Sequence, residues 1–590
     1  MCIENGLNQR PATDGALTMK IFPRFKKQLF SAFMSSYTLA AFCSNFFLPA
    51  CALTVIDAPQ TVGQNDTVSI ENSVYQNLVS DYDTRYALVN NGTITSILNS
   101  SFLDNGIFSL GSTYGTGIYN TNHIGLIDES TFSNNKVAGI DNYASTIDTI
   151  QNSFFESNTA AISNTTDENN GILTEAHINL IDNSQFNKNI TGISNQGNIT
   201  DIKGSFFNEN SVGIYNNAYT VPAEIQTISD SKFTNNAMGI SNADGAYIGT
   251  IENSVFENNQ NAIRNSGRGT DEYTSEIVLI ENALFLNNQN TTGDYYNEPM
   301  ASAIYNAGGK IESILTTEFQ GNSVTSVAPN RYAKGGAVYN GGEIKTMENV
   351  VFNNNGITVD TNLSEYTPNY ETSAGALGGA VYNGGKIGYI DEEGNYAGGF
   401  INTSFTDNYA IANGENVSAK GGAVYSDENI RIEANNGYHS LISGNYTEVN
   451  GIKDDNAIYM GINEKETSYS STKEGNVQTS VQILSKRAPS LVLDANTNGI
   501  IQIDDKISGD KGEKETQIVT VFDADTSESS SEETVLSENK DQSYKIYITG
   551  DNTGTVILNN DVEGEADMYL YQTTLKLGKR DDVLKNNNMT

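Results

Sequence analysis

The chain has 590 residues, 33 Lys+Arg against 71 Asp+Glu, a formal net charge of −38, three His, three Cys and no Trp. No basic face is available to displace the counterions of a nucleic acid, so that class of partner is excluded. The 53 Gly and 9 Pro are too few for low-complexity sequence, and 31 Tyr with 23 Phe supply core material, which argues against wholesale disorder.

Taken from the N-terminus, the first element is an export signal over residues 1–52. Lys20, Arg24, Lys26 and Lys27 form a basic segment, an apolar stretch runs from residue 29 to 48, and Ala50-Cys51-Ala52 supplies the small-x-small cleavage pattern. Met19 is a second candidate initiator. Two alternatives stand beside cleavage at Ala52. One is a membrane anchor, weakened by Ser31, Ser35, Ser36, Thr38, Ser44 and Asn45. The other is lipidation at Cys51, against which Pro49 counts. Cys2, Cys43 and Cys51 all lie in this segment, so cleavage leaves a chain of net charge −41 with no disulfide and no cysteine metal site.

Residues 53–87 read as an N-terminal cap or first coil. From 88 to 426 three short patterns recur in fixed order. The first is apolar-x-Asn, ending at Asn120, Asn142, Asn164, Asn195, Asn216, Asn242, Asn265 and Asn306; three later copies expand to Gly-Gly-Ala-Val-Tyr at 335–339, 378–382 and 421–425. The second is Ile-x-x-Ile, from Ile94/Ile97 through Ile124/Ile127 to Ile387/Ile390. The third is Phe-x-x-Asn, beginning at Phe102, Phe132, Phe155, Phe186, Phe207, Phe233, Phe256, Phe285, Phe319, Phe352 and Phe405. Successive phenylalanines are 30, 23, 31, 21, 26, 23, 29, 34, 33 and 53 residues apart, which describes a constant unit whose loops take the insertions.

Runs of three to six Ile, Val, Phe and Tyr residues bounded by Asn, Gly, Ser and Asp are strands and turns. Three such strands make one coil of a right-handed parallel β-helix of pectin-lyase-like architecture, an all-β fold in which Ile stacks over Ile and Phe over Phe. The recurrent Asn is expected at the bends, where it tolerates left-handed backbone and its amide bonds the equivalent Asn one coil away. About eleven coils at the strand spacing of about 4.8 Å span about 50–60 Å.

Gly-Gly-Ala-Val-Tyr followed by Phe-x-x-Asn resembles the paired GGA(I/L/V) and FxxN motifs of the polymorphic outer-membrane proteins and related autotransporter passenger domains. That resemblance, over roughly residues 88–590, implies a Gram-negative exported protein with a signal peptide, a β-helical passenger and a C-terminal translocator barrel. Such passengers are commonly adhesins or surface antigens. The sequence departs from the family at its C-terminal end: residues 427–590 continue as irregular β-helix coils, with an acidic, Ser-rich loop at 521–541, and no translocator barrel is read in them.

Enzymes of the pectate-lyase type share the fold and place Asp, Arg and Lys on neighbouring coils. Here Asp128, Asp182, Asp230 and Glu252 follow the second Ile of their motifs and so belong to a repeated outward slot. His123 and His177 share another repeat position, and His439 lies in an irregular stretch. No catalytic, cofactor-binding or metal residue is therefore assigned, and no cofactor is expected. The leading expectation is an exported, surface-exposed or secreted adhesin-like binding or structural protein without enzymatic activity. Its partner is a host-cell or matrix receptor or glycan, met through exposed loops at 291–300, 323–334 and 357–377. Contact with the outer membrane runs only through a translocator outside this sequence. The alternative is a pectate-lyase-like polysaccharide-processing enzyme.

Overall fold

Short apolar runs separated by residues that tolerate tight bends cannot extend into long elements, so each repeat folds into three short strands. In the computed structural model one coil runs Thr116–Asn120, His123–Asp128, Thr131–Ser133, and the next begins at Ala138–Tyr143. The structure describes residues 53–590 except 80–84, 110–111, 170, 219–220, 268–273, 293–299, 365–372, 391–395, 463, 475–476, 524–527, 565, 579–587 and 590. The chain divides after Leu53. The export-signal reading, with Met19 and Cys51, lies outside the described residues.

Each strand pairs in parallel with its counterpart one coil on: Ile118 with Ile140, Ile124 with Ile147, Phe132 with Phe155. The result is a parallel β-helix with three long faces of 15, 18 and 17 strands, named here the asparagine, isoleucine and phenylalanine sheets after their motifs. All eleven phenylalanines of the third motif are fully buried. From Phe102 to Phe405 their rings stack with centroids 4.6–5.0 Å apart and planes within 8°. Tyr75 begins the stack, and Ile442, Ile503 and Leu558 continue the column after Phe405. One coil alone would leave these side chains in water, so stability belongs to the stack of coils.

Two amide ladders run beside this core. Nδ2 of Asn90 donates to Oδ1 of Asn120, that residue to Asn142, and so on through Asn164, Asn195, Asn216, Asn242, Asn265, Asn306, Asn340 and Asn383 to Ser426, at 2.7–3.0 Å. The Phe-x-x-Asn residues form the second ladder from Asn105 to Asn445, which ends on the carboxylate of Asp505. The ladder asparagines do not themselves take the left-handed conformation expected of them. In the second ladder it falls on the preceding residue, as at Asn134, Asn235 and Asn258 with φ of 57°, 56° and 57°. The reason is that the ladder residue must turn its amide into the core, so its neighbour makes the bend. A third ladder went unread in the sequence: Ser100, Ser130, Ser153 and Ser184 each accept the backbone N–H of the equivalent serine one coil earlier.

Four expectations change. Asp128, Asp182 and Glu252 do share one column of the isoleucine sheet, but Asp230 lies one residue later, at a left-handed bend with φ of 52°. Ile387 takes its core position, whereas Ile390 is exposed in a small hairpin, and Phe400 fills the second core slot beside Met347. Gly388, Gly398 and Gly399, all at positive φ, let the chain leave and re-enter the coil there. The acidic stretch expected as a loop at 521–541 is strand on both sides of residues 524–527, which lie outside the described residues: Lys511–Asp523 and Glu528–Ser543 pair antiparallel, and with Glu464–Glu474 and Val477–Lys486 they form a four-stranded sheet. Both hairpins are inserted at the same corner of successive coils, which brings their strands side by side. Of the loops expected at 323–334 and 357–377, residues 323–326, 332–334, 357–360 and 374–377 are strand, and residues 365–372 lie outside the described residues.

Candidate functional site

The excess residues that follow Phe-x-x-Asn from its eighth copy, at Phe285, onward are not surplus loop. Gln289–Thr292, Ser323–Ser326, Gly356–Asp360, Tyr409–Asn413 and Tyr446–Val449 pair in parallel as an added side sheet. Tyr332–Lys334, Ala374–Leu377 and Val417–Lys420 form a second added sheet of three strands. Between them lies a separate small core of Val324, Ala333, Ile357, Val359, Ala376, Ala410 and Ala412. Its members recur at every second position, as Ile357 and Val359 or Ala410 and Ala412 do, the period-two signature of a strand buried on one face. The two sheets bulge the coil outward as a lobe while the Phe and Asn ladders pass beneath it unbroken. Of the loop expected at 291–300, residues 293–299 lie outside the described residues.

Gly-Gly-Ala-Val-Tyr marks where the chain returns from the lobe to the asparagine sheet. Gly335, Gly378 and Gly421 take φ of 66°, 72° and 65°, and a Cβ on Gly336 would lie 2.0 Å from the carbonyl oxygen of Gly379. Side chains are excluded there by the approach of neighbouring coils.

The middle residue of apolar-x-Asn points outward. In the early coils this slot holds Tyr119, Asp141, Ser163 and Ser194, but from Tyr305 it holds tyrosine in every coil through Tyr459. These five rings stack at centroid distances of 5.1–5.7 Å. The second added sheet packs Leu377 and Tyr332 into one cluster with Tyr339, Tyr382, Tyr425 and Tyr459. The Lys334 and Lys420 ammonium groups lie 5.4 Å and 4.4 Å from the ring centroids of Tyr382 and Tyr459. Burial, reinforced by nearby carboxylates, holds the Tyr382 and Tyr459 phenols well above their ordinary range. They remain protonated and donate to Asp427 and Asp510. The run of tyrosine at one motif position was the sequence signal for this ladder.

Beyond Val417–Lys420 a groove of about 440 Å³ opens, with Tyr459 and Asn456 among its lining residues and Ser508 and Glu563 on the following coils. Its charges pair within the chain: Lys420 with Asp510 at 3.3 Å, and Lys506 with Asp454 and Glu563 at 2.7 and 3.1 Å.

The histidines are spread along the coils. His123 Nε2 lies 2.9 Å from Asp148 Oδ2, His177 Nε2 3.4 Å from Thr200 Oγ1, and His439 Nε2 3.0 Å from Gln502 Oε1. A polysaccharide-cleaving site would need acids and bases on adjacent coils. On the isoleucine sheet Lys310 pairs with Glu276 and Glu312 and Lys345 with Glu312, and further along Arg431 lies with Glu433 and Asp494. There the guanidinium nitrogens are engaged by both carboxylates and by the Gly398 carbonyl, an arrangement that clips three successive coils together. Among the described residues no group of three or more His, Cys, Asp or Glu side chains gathers as a metal site, and no helix is long and apolar enough to cross a membrane.

Two carboxylates stand out electrostatically. Burial pushes Asp141, beside Tyr119, and Asp505, at the end of the second amide ladder, up to about 6. Both fold with a pKa above the ordinary carboxylate value of 3.8, so the native state binds more protons between about pH 4 and 6, and stability falls as pH rises through that window. Asp141→Ser installs the residue of the same slot in the next coil, Ser163. It is expected to raise the melting temperature at pH 7, with the gain shrinking toward pH 4; an equal gain at both pH values would contradict the assignment.

No family profile, curated protein or solved structure matches the chain. The class defined by fold and site is a parallel β-helix with a lateral lobe on its later coils.

Proposed function

We propose that this chain is exported and acts at the cell surface, or in the surrounding medium, as an adhesin-like binding protein of the autotransporter-passenger kind, without catalysing a reaction. The observation that carries the reading is the lobe: successive coils elaborate one corner into a layered surface while the ladders that hold the solenoid together continue unchanged. Solenoids that bind do so through such extended side surfaces. The basic and apolar segment before Ala52 and the paired Gly-Gly-Ala-Val-Tyr and Phe-x-x-Asn motifs support export and passenger character. The outer membrane would be reached through a translocator, and the partner is a host-cell or matrix receptor or glycan.

Labelled full-length protein is expected to bind host-cell layers or matrix preparations saturably. It is also expected to leave polygalacturonate intact, read as no rise in ultraviolet absorbance. Release of unsaturated product would favour the pectate-lyase-like reading instead.

A further inference from the structure

The second added sheet ends at Val417–Lys420 because the next coil supplies no strand to it. Ile452–Asp454 instead turns back antiparallel onto Tyr446–Val449. The groove lies along that edge. Ala374 N–H donates to the Asn416 carbonyl and Gly378 N–H to that of Lys420, so the main chain at 416 and 420 faces back into the sheet. Alternation along a strand then directs the N–H and C=O of Val417 and Ala419 into the groove. The side chains of these two residues are only partly covered. They sit at the open end of the lobe core, in register with Ala374 and Ala376. Asn456, 6% exposed, lines the same groove, and its Oδ1 has no hydrogen-bond partner.

We propose that this edge binds an extended segment of another polypeptide as a fourth, parallel strand. This rests on the reading of the chain as a binding protein and names its class of partner. An exposed edge presents a row of unpaired main-chain groups, and strand addition uses them for affinity while alternate side-chain positions give specificity. Here the occupant's inward residue continues the column Ala333, Ala376, Ala419 and must be small. The residue after it continues the column Lys334, Leu377, Lys420. Among the charges that line the groove or pair with its lining, Asp454, Asp510 and Glu563 outnumber Lys420 and Lys506 by one, so a basic residue is favoured. Strand Val417–Lys420, of sequence Val-Ser-Ala-Lys, itself has this pattern.

The probe is therefore a fluorescent peptide of the sequence of residues 416–421, titrated against the full chain by anisotropy. Saturable binding is expected. N-methylation of one alternating set of peptide residues should weaken it at least about tenfold, while methylation of the other set leaves it unchanged. Ala419→Pro removes an N–H that faces the groove and not the sheet, a position an edge strand tolerates. It is expected to weaken binding by a similar factor without moving the melting temperature. If that variant unfolds, the two methylated peptides on the unaltered chain decide. Absence of saturable binding, or equal binding of both methylated peptides, would overturn the proposal. So would a neutral oligosaccharide binding in the groove where the peptide does not. None of these outcomes touches the cell-binding or polygalacturonate assays.

Discussion

Phe233→Asp is expected to cost more stability than any other single change considered. The ring is fully buried between Phe207 at 4.6 Å and Phe256 at 4.8 Å, nearly parallel to both. Truncation to Ala would cost about 3–5 kcal/mol through lost burial and the cavity left behind. A carboxylate there adds desolvation with no partner, since every neighbour in the column is another hydrocarbon ring. Because coils contact only their neighbours, the defect should also divide the solenoid into two segments that melt separately. Thermal unfolding followed by far-ultraviolet circular dichroism checks this, and an unchanged melting curve would mean that the phenylalanine column is not the central core.

Asn210→Ala is expected to be nearly as damaging, by a different route. The side-chain oxygen of Asn210 accepts from both the backbone N–H and Nδ2 of Asn189, at 2.9 and 3.1 Å. Its Nδ2 donates to the Phe186 carbonyl at 2.8 Å and to Asn236 Oδ1 at 3.0 Å. All of these groups are buried, so removing one amide strands donors and acceptors on both sides of it. At about 1–3 kcal/mol for each group left unsatisfied, a total of about 2–5 kcal/mol follows once the bonds kept by Asn189 and Asn236 are allowed for. Chemical denaturation measures it. A loss below about 0.5 kcal/mol, the size of an ordinary surface substitution, would contradict the ladder.

The registers of the three long sheets could be read from the sequence because each core position repeats a residue type. Phe132 announces Phe155 and Ile124 announces Ile147 without any knowledge of the loops between. The lobe was hidden for the opposite reason. Its strands vary, with Val324, Ile357 and Ala410 in one column and Ala333 and Ala376 in another, so nothing repeats but polarity. The signal was an apolar residue two positions after each ladder asparagine from Asn322 to Asn408, inside segments whose length suggested insertion. Ile390 misled because the Ile-x-x-Ile spacing was kept while three glycines carried the chain out of the coil between its two isoleucines and Phe400. Strands Glu464–Glu474, Val477–Lys486, Lys511–Asp523 and Glu528–Ser543 were unreadable since they are largely polar and pair with one another outside the core, where hydrophobic periodicity is silent. The groove was hidden because it arises from a strand that the next coil does not supply.

The central claim, that the chain binds through its lobe, is tested most directly by blocking that surface. In a chain carrying Cys2→Ser, Cys43→Ser and Cys51→Ser, a single cysteine is placed at Thr358, on the added side sheet, or at Thr200, on the isoleucine sheet far from the lobe, and a bulky polymer is attached to each. Binding to host cells or matrix should be saturable, lost when Thr358→Cys carries the polymer and kept when Thr200→Cys does. Equal binding by the two conjugates would contradict it.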